Sequence, residues 1–266
     1  MTRALPGIPA WAVAMAALLS ATVAQVGWAQ DAEFDEADVF AELNDTDGDL
    51  GLHALIDGEA WRRLSITDPN GRQILLVRAQ RRLARQGLTE LFFESDEPAF
   101  DELSPEEFFN RFPRGEYQIS GRTLEGDELE STALFSHRMP APPDNVTVSG
   151  VELEEDCDAN TPEVGGPVVI RWDPVTTSHP TIGVPNDQPI RIERYQLVVE
   201  REEPALLIYN IELPGDPADL PDDLTAYEVT VPPEFIALGE EFKYEILVRA
   251  NNGNQTAIES CFAPVE

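Results

Sequence analysis

Asn44-Asp45-Thr46-Asp47-Gly48-Asp49-Leu50-Gly51 is the one stretch where several groups of metal-binding chemistry sit at a fixed short spacing. Calcium takes hard oxygen ligands that converge from alternate positions of a tightly turned backbone. Asp45, Asp47 and Asp49 supply such donors at i, i+2 and i+4, and Gly48 eases the turn. Asn44, Asp57 and Glu59 are the candidates for completing the set. The spacing points to a structural calcium site. A water-solvated acidic turn is the alternative, because 50 Asp and Glu in one chain make such clusters by chance.

The opening of this loop is similar to the D-x-D-x-D start of an EF-hand, but Leu50 stands where the sharp-turn glycine belongs and Ile56 where the bidentate glutamate belongs. It more closely resembles the Asp-rich calcium loops of extracellular repeat and β-sandwich proteins, which implies a site that fastens a strand-to-strand turn. His53 lies two residues past Gly51 and offers a transition-metal variant of the same site. His53, His137 and His179 fall on different elements, and none belongs to a paired-histidine zinc pattern. No nucleophile elbow, P-loop or dinucleotide fingerprint is present. Carboxylate pairs carry no information in this composition, so a glycosidase-like acid/base pair stays an alternative, and no enzyme is expected.

The elements that must position the loop follow from composition and order. At 266 residues, 42% of them hydrophobic, the chain can bury about two cores, and 22 Pro with 17 Gly favour strands and turns over long helices. A formal charge of −32 repels phosphate backbones and anionic headgroups, so nucleic-acid and membrane-surface partners are not expected; cations and basic partners are favoured. Residues 1–29 carry one early charge, Arg3, an apolar run and small residues before Gln30, the pattern of a cleaved secretory signal peptide, with an uncleaved anchor as the alternative. The mature protein is then expected outside the cytoplasm, secreted or periplasmic, without membrane insertion. Cys157 and Cys261 are an even pair in an exported chain, which favours a disulfide.

Residues 30–38 read as a short acidic tail and 39–139 as a first β domain. Trp61–Thr67 and Gln73–Ala79 flank Asp68-Pro69-Asn70-Gly71, a hairpin turn signal. Arg78, Arg81, Arg82 and Arg85 form either one face of a short helix or a basic loop; they suit a carboxylate or sulfate ligand, but pairing with neighbouring Asp and Glu is the expected arrangement. Leu88–Glu94 reads as a buried strand, and Ser104-Pro105-Glu106-Glu107 as the capped start of a short helix carrying Phe108, Phe109 and Phe112. Gly115–Thr123 and Ser131–His137 resemble the closing hairpin of an immunoglobulin-like sandwich. Pro140, Pro142 and Pro143 stiffen a linker over 140–144.

From residue 141 onward the chain resembles a fibronectin type III domain. Pro142-Pro143 with Val146-Thr147-Val148 is similar to its strand A, Val168–Pro174 with core Trp172 to strand B, Tyr195–Glu200 to strand C and Tyr227–Val231 to strand E. Leu238 followed by Phe242–Asn251 resembles the E–F corner and strand F, which implies that the Tyr244 hydroxyl bonds back to backbone near Leu238 and that Trp172, Tyr244 and Leu238 are core positions. On this register the cysteines tie the A–B region to strand G, 176–189 lengthens the B–C loop, and Asn251–Gln255 lacks an integrin-binding tripeptide. The fold class expected is all-β: two tandem immunoglobulin-like and fibronectin type III sandwiches, 39–139 and 145–266, with one short helix in the first. The function expected is non-catalytic binding or spacing toward a protein or glycan partner, stiffened by calcium. An accessory or catalytic domain acting on an extracellular polysaccharide is the alternative.

Overall fold

The computed structural model describes residues 32–154, 157, 159–219 and 225–265. The signal-peptide expectation for 1–29 lies outside them, as do Gln30 and Asp31. In chain order the elements are β1 (Glu36–Asn44), β2 (Asp49–Thr67), β3 (Gln73–Arg78), α1 (Leu83–Gln86), β4 (Leu88–Glu94), α2 (Pro105–Arg111), β5 (Gly115–Thr123), β6 (Glu128–Phe135) and β7 (Arg138–Pro140). There follow β8 (Asp144–Val148), β9 (Val151–Glu152), β10 (Glu163–Gly165), β11 (Val169–Asp173), β12 (Ser178–Gly183), β13 (Ile192–Arg201), β14 (Leu207–Pro214), β15 (Tyr227–Thr230), α3 (Pro233–Ile236), β16 (Phe242–Ala250) and β17 (Gln255–Val265). The protein is all-β, and its sheets enclose sandwich cores.

Side-chain alternation decides which face each strand buries. On β2 the residues Leu50, Leu52, Ala54 and Ile56 point inward; the register breaks between Asp57 and Trp61, and Trp61, Leu64 and Ile66 then continue the core. The break divides the labour of this 19-residue strand: its first half pairs with β1 and β4, its second with β3 and β5. Gly58 sits at the break because a Cβ there would lie 3.3 Å from the Phe34 backbone.

Two apolar cores result, one built from Phe34 to Met139 around Trp61 and Tyr117, the other from Val146 to Phe262 around Trp172 and Tyr195. The hairpin turn at Asp68–Gly71 forms as expected, with Asp68 Oδ1 accepting from Asn70 and Arg72 N–H. So does the α2 capping box between Ser104 and Glu107. Of the two readings of the 78–85 run, a one-turn helix forms at its end as α1, and the one-turn helix α3 is an addition.

Four expectations are corrected. The segment expected as an acidic tail is folded from Ala32 onward: Ala32 bridges to Leu129 and Phe34 is buried in the first core. β4 is an edge strand bound only to β2, with Phe92 55% exposed, so it is not buried. Leu238 is 52% exposed and outside the core, although Trp172 and Tyr244 are buried. The Tyr244 hydroxyl is buried beside Ser260 and makes no hydrogen bond to backbone near Leu238 among the described residues. A corner of that kind forms instead in the first half, where the Tyr117 hydroxyl donates to Pro113 O at 3.1 Å.

The halves are joined by a continuous sheet in the order β14-β13-β16-β17-β1-β2-β5-β6. Its central seam is parallel pairing of β1 with β17, Glu42 opposite Gln255 through Asn44 opposite Ala257. A second sheet, β15-β11-β8-β9, covers the second core, and β7 pairs with β12. The proline segment is stitched as well, since Thr256 Oγ1 donates to Pro140 O and Ala141 N–H to Thr177 O.

Candidate functional site

The Asn44–Asp49 turn is closed by backbone first: Gly48 N–H donates to Asn44 O, and Gly48 adopts φ +68°, a conformation that suits glycine. Asn44 Oδ1 accepts from Thr46 and Asp47 N–H at 3.1 Å each, while its Nδ2 donates to Glu259 at 2.8 Å. Asp45 accepts from His179 Nε2 at 3.0 Å. The His179 Nδ1 accepts backbone N–H from Thr181 and Ile182, which fixes the Nε2–H tautomer and directs that proton to Asp45. Asp45 is thus a strut between the turn and β12.

The expected calcium set does not assemble. Asp45 is committed to His179, Asp47 to Asn44, and Asp49 faces β17 and the Glu97 segment. Asp57 lies eight residues along β2, opposite Glu36 and Glu90, roughly 25 Å away at strand rise. Glu59 sits beyond it on the same strand. Among the described residues no group of three or more His, Cys, Asp or Glu is placed to hold a metal ion. The alternation of the hairpin spreads these donors: Asp49, Gly51 and His53 share one face of β2, while the turn sends Asp45 toward β12.

What the fold gathers instead is a strip on the outer face of the continuous sheet. Phe40, Glu42 and Asn44 of β1 lie opposite His53, Gly51 and Asp49 of β2, and Glu245 of β16 lies opposite Glu259 of β17. His53, only 3% exposed, is the centre. Its Nε2 is 2.9 Å from Glu97 Oε1 and its Nδ1 3.9 Å from Glu42 Oε2, with Phe40 and Phe92 on its flanks. Glu97 reaches it by lying over Gly51, where a Cβ would come within 1.9 Å of its carboxylate.

Burial of this crowd shifts its protonation. The Glu42 carboxyl is pushed up to about 7 by burial, partly opposed by His53 and reinforced by Glu97, Glu94 and Asp49. Glu245 is raised to about 7 by burial and by Glu42, Glu259, Glu200 and Glu97. Asp49 rises to about 6 through burial, Glu97, Asp47 and Glu259. Burial pulls His53 down, but the Glu97 hydrogen bond and the Glu42, Glu97 and Glu94 charges more than reverse it. The strip is a seam between the halves whose carboxyls hold their protons above the usual carboxylate range.

The remaining expected residues divide. Cys157 and Cys261 form the disulfide, tying the segment after β9 to β17 with Cα atoms 5.9 Å apart. His137 donates Nε2–H to Phe112 O and packs on Phe109, a core role. Arg78, Arg81, Arg82 and Arg85 were expected to pair with Asp and Glu; among the described residues none of them makes an ion pair. Asn254 was not singled out by sequence at all. It is fully buried, accepts from Ala41 N–H and donates to Ser136 O and Arg138 O, locking the second half onto the first.

The chain matches no protein-family model, and no curated protein matches it in sequence. Among solved structures, a tetra-tandem repeat in the extending region of a large adhesion protein is similar over 86% of this chain and 50% of that one, at 10% identity and a TM-score of 0.26. The chicken interferon gamma receptor alpha chain is similar over 89% of this chain and all of that one, at 11% identity and 0.26. Murine CEACAM1b is similar over 86% of this chain and all of that one, at 12% and 0.22. This chain spans half the length of the first. At these TM-scores the likeness carries no argument about function.

Proposed function

We propose that this chain is an exported, non-catalytic binding or spacer module of the cell surface or periplasm, in which an immunoglobulin-like half and a fibronectin type III half act as one stiff body. The observation that carries the reading is the β1–β17 seam with Asn254 beneath it, because a sheet running unbroken through two cores resists bending where a free linker would not. The order β14-β13-β16-β17 facing β15-β11-β8 supports the fibronectin type III assignment, corresponding to C′-C-F-G facing E-B-A. The Cys157–Cys261 bridge supports an oxidising compartment. No helix among the described residues is long and apolar enough to cross a membrane.

Calcium stiffening of the Asn44–Asp49 turn is a separate proposal that rests on the spacing of Asp45, Asp47 and Asp49; calorimetric titration of the parent with calcium tests it, and no heat overturns it. The test pairs location with chemistry. Thiol alkylation of fractionated cells is expected to find the protein outside the cytoplasm with both cysteines oxidised; a reduced cytoplasmic protein overturns the export. Incubation with a panel of acidic and neutral polysaccharides is expected to release no reducing ends. Release that depends on the intact chain makes it a polymer-acting enzyme instead.

A further inference from the structure

Arg78, Arg63 and Arg122 stand in one row across β3, β2 and β5, with Arg63 directly opposite Arg78 on one side and Arg122 on the other. Directly opposed residues share a sheet face with Cβ atoms about 5 Å apart, and like charges so placed are destabilising. Arg62 joins them, held by Nε–H donation to Thr123 O at 3.1 Å and by a second bond to Leu124 O. With Ala79 and Ala84 these four arginines line a pocket of about 560 Å³. Only Arg122 makes an ion pair among the described residues, with Glu128 at 3.6 Å. In a chain carrying 50 Asp and Glu against 18 Lys and Arg, a row of three guanidiniums answered by one carboxylate runs against the composition. Guanidinium does not shed its proton, so beyond screening by solvent and salt the repulsion is relieved by an anion seated among the three.

We propose that this pocket is an oxyanion-binding site that takes a sulfate or carboxylate group carried on a small ligand. Neighbouring guanidinium forks match the oxygens of such a group bidentately, and Arg62 presents a fixed charge beside them. The ligand is compact because a body of charge −32 repels an extended polyanion, while oppositely signed sites beyond a Debye length of about 10 Å are screened. The site stands apart from the acidic strip and holds whether the module spaces or binds.

Calorimetric titration of the full chain with sodium sulfate and with sodium acetate, against sodium chloride at equal ionic strength, tests it. Either probe is expected to bind one-to-one to the parent and to Arg171→Gln, whose arginine is paired with Asp173 and Glu228 on β11 and β15. Arg63→Gln and, on the exposed edge strand, Arg78→Gln are expected to weaken it about tenfold or more, the loss that goes with one charge-assisted hydrogen bond. Neither probe binding the parent above chloride overturns the proposal. Parent affinity retained in both folded variants does the same.

Discussion

Like charges crowd in two places on this protein, and the two crowds are relieved by different chemistry. On the acidic strip Glu42 meets His53 while Asp49, Glu245 and Glu259 line the same face, and each of these carboxyls answers burial and repulsion by holding its proton to higher pH. On the arginine row Arg63, Arg78 and Arg122 have no such exit, because guanidinium stays charged at any pH the fold survives. The strip therefore closes on itself as a seam, and the row is left with unanswered charge at an open pocket. The contrast also separates structure from the proposed recognition: the carboxyls can neutralise themselves, and the guanidiniums cannot.

The strip exists only because the halves meet, since Glu42 comes from β1 and Glu245 and Glu259 from β16 and β17. Breaking the seam gives the largest expected effect. Asn254→Ala leaves the Ala41 N–H and the Ser136 carbonyl without their buried partner, while Arg138 O keeps Asn252, a cost on the order of 3 kcal/mol in urea unfolding. If the seam creates the strip, the same variant also loses much of its pH dependence. A variant that destabilises by that amount yet keeps the full pH dependence would show that the carboxyls are perturbed within each half alone.

The pH dependence has a definite sign. Glu42 and Glu245 carry folded values of about 7 against an unfolded value of 4.5, so the folded state holds more protons between those limits and stability falls as pH rises through them. Asp49, raised to about 6, and His53, also raised, act in the same direction. The stabilising contribution of Glu42 and Glu245 is full below about pH 4.5 and gone above about 7, the reverse of ordinary acid denaturation. Unfolding free energy is expected to drop by roughly 2 kcal/mol between pH 5 and pH 8, discounted for the partial exposure of these side chains. Glu42→Gln, a fixed mimic of the protonated acid, removes part of that drop and raises stability at pH 8. No change between the two pH values in the parent breaks the contrast with the arginine row.

Much of the second half was legible because its signals are local. Apolar alternation in Val168–Pro174, Tyr195–Glu200 and Phe242–Asn251 encodes strands whose partners follow the immunoglobulin-like order, and the Ser104 capping box and the Asp68–Gly71 turn depend on neighbours within four residues. The seam was not legible. Parallel pairing of Asn44 with Ala257 joins residues more than 200 positions apart, and Asn254 reads as an ordinary loop asparagine until Ala41 is beside it. The acidic loop was legible only in part, for a related reason. Spacing at i, i+2 and i+4 states which donors are near in sequence, while the hairpin alternation and the His179 contact decide where they point. For the arginines, the run Arg78–Arg85 was visible, but the partners that matter, Arg63 and Arg122, come from strands set by pairing alone.

The smallest effect expected sharpens the comparison most. Replacing Arg63, the central member of the row, by glutamine removes two cross-strand repulsions, one with Arg78 and one with Arg122, without touching the core, since Arg63 is exposed. In low salt and without sulfate, Arg63→Gln is expected to raise stability by roughly 0.5 kcal/mol, the scale of an opposed like-charge pair. The gain is expected to shrink as sodium chloride screens the row, and to be the same at pH 5 and pH 8, because nothing in the row titrates between them. Urea unfolding at the two pH values and two salt concentrations reads all of this at once. A loss of stability in low salt means that Arg63 is already neutralised within the fold, and the row is then as self-contained as the strip.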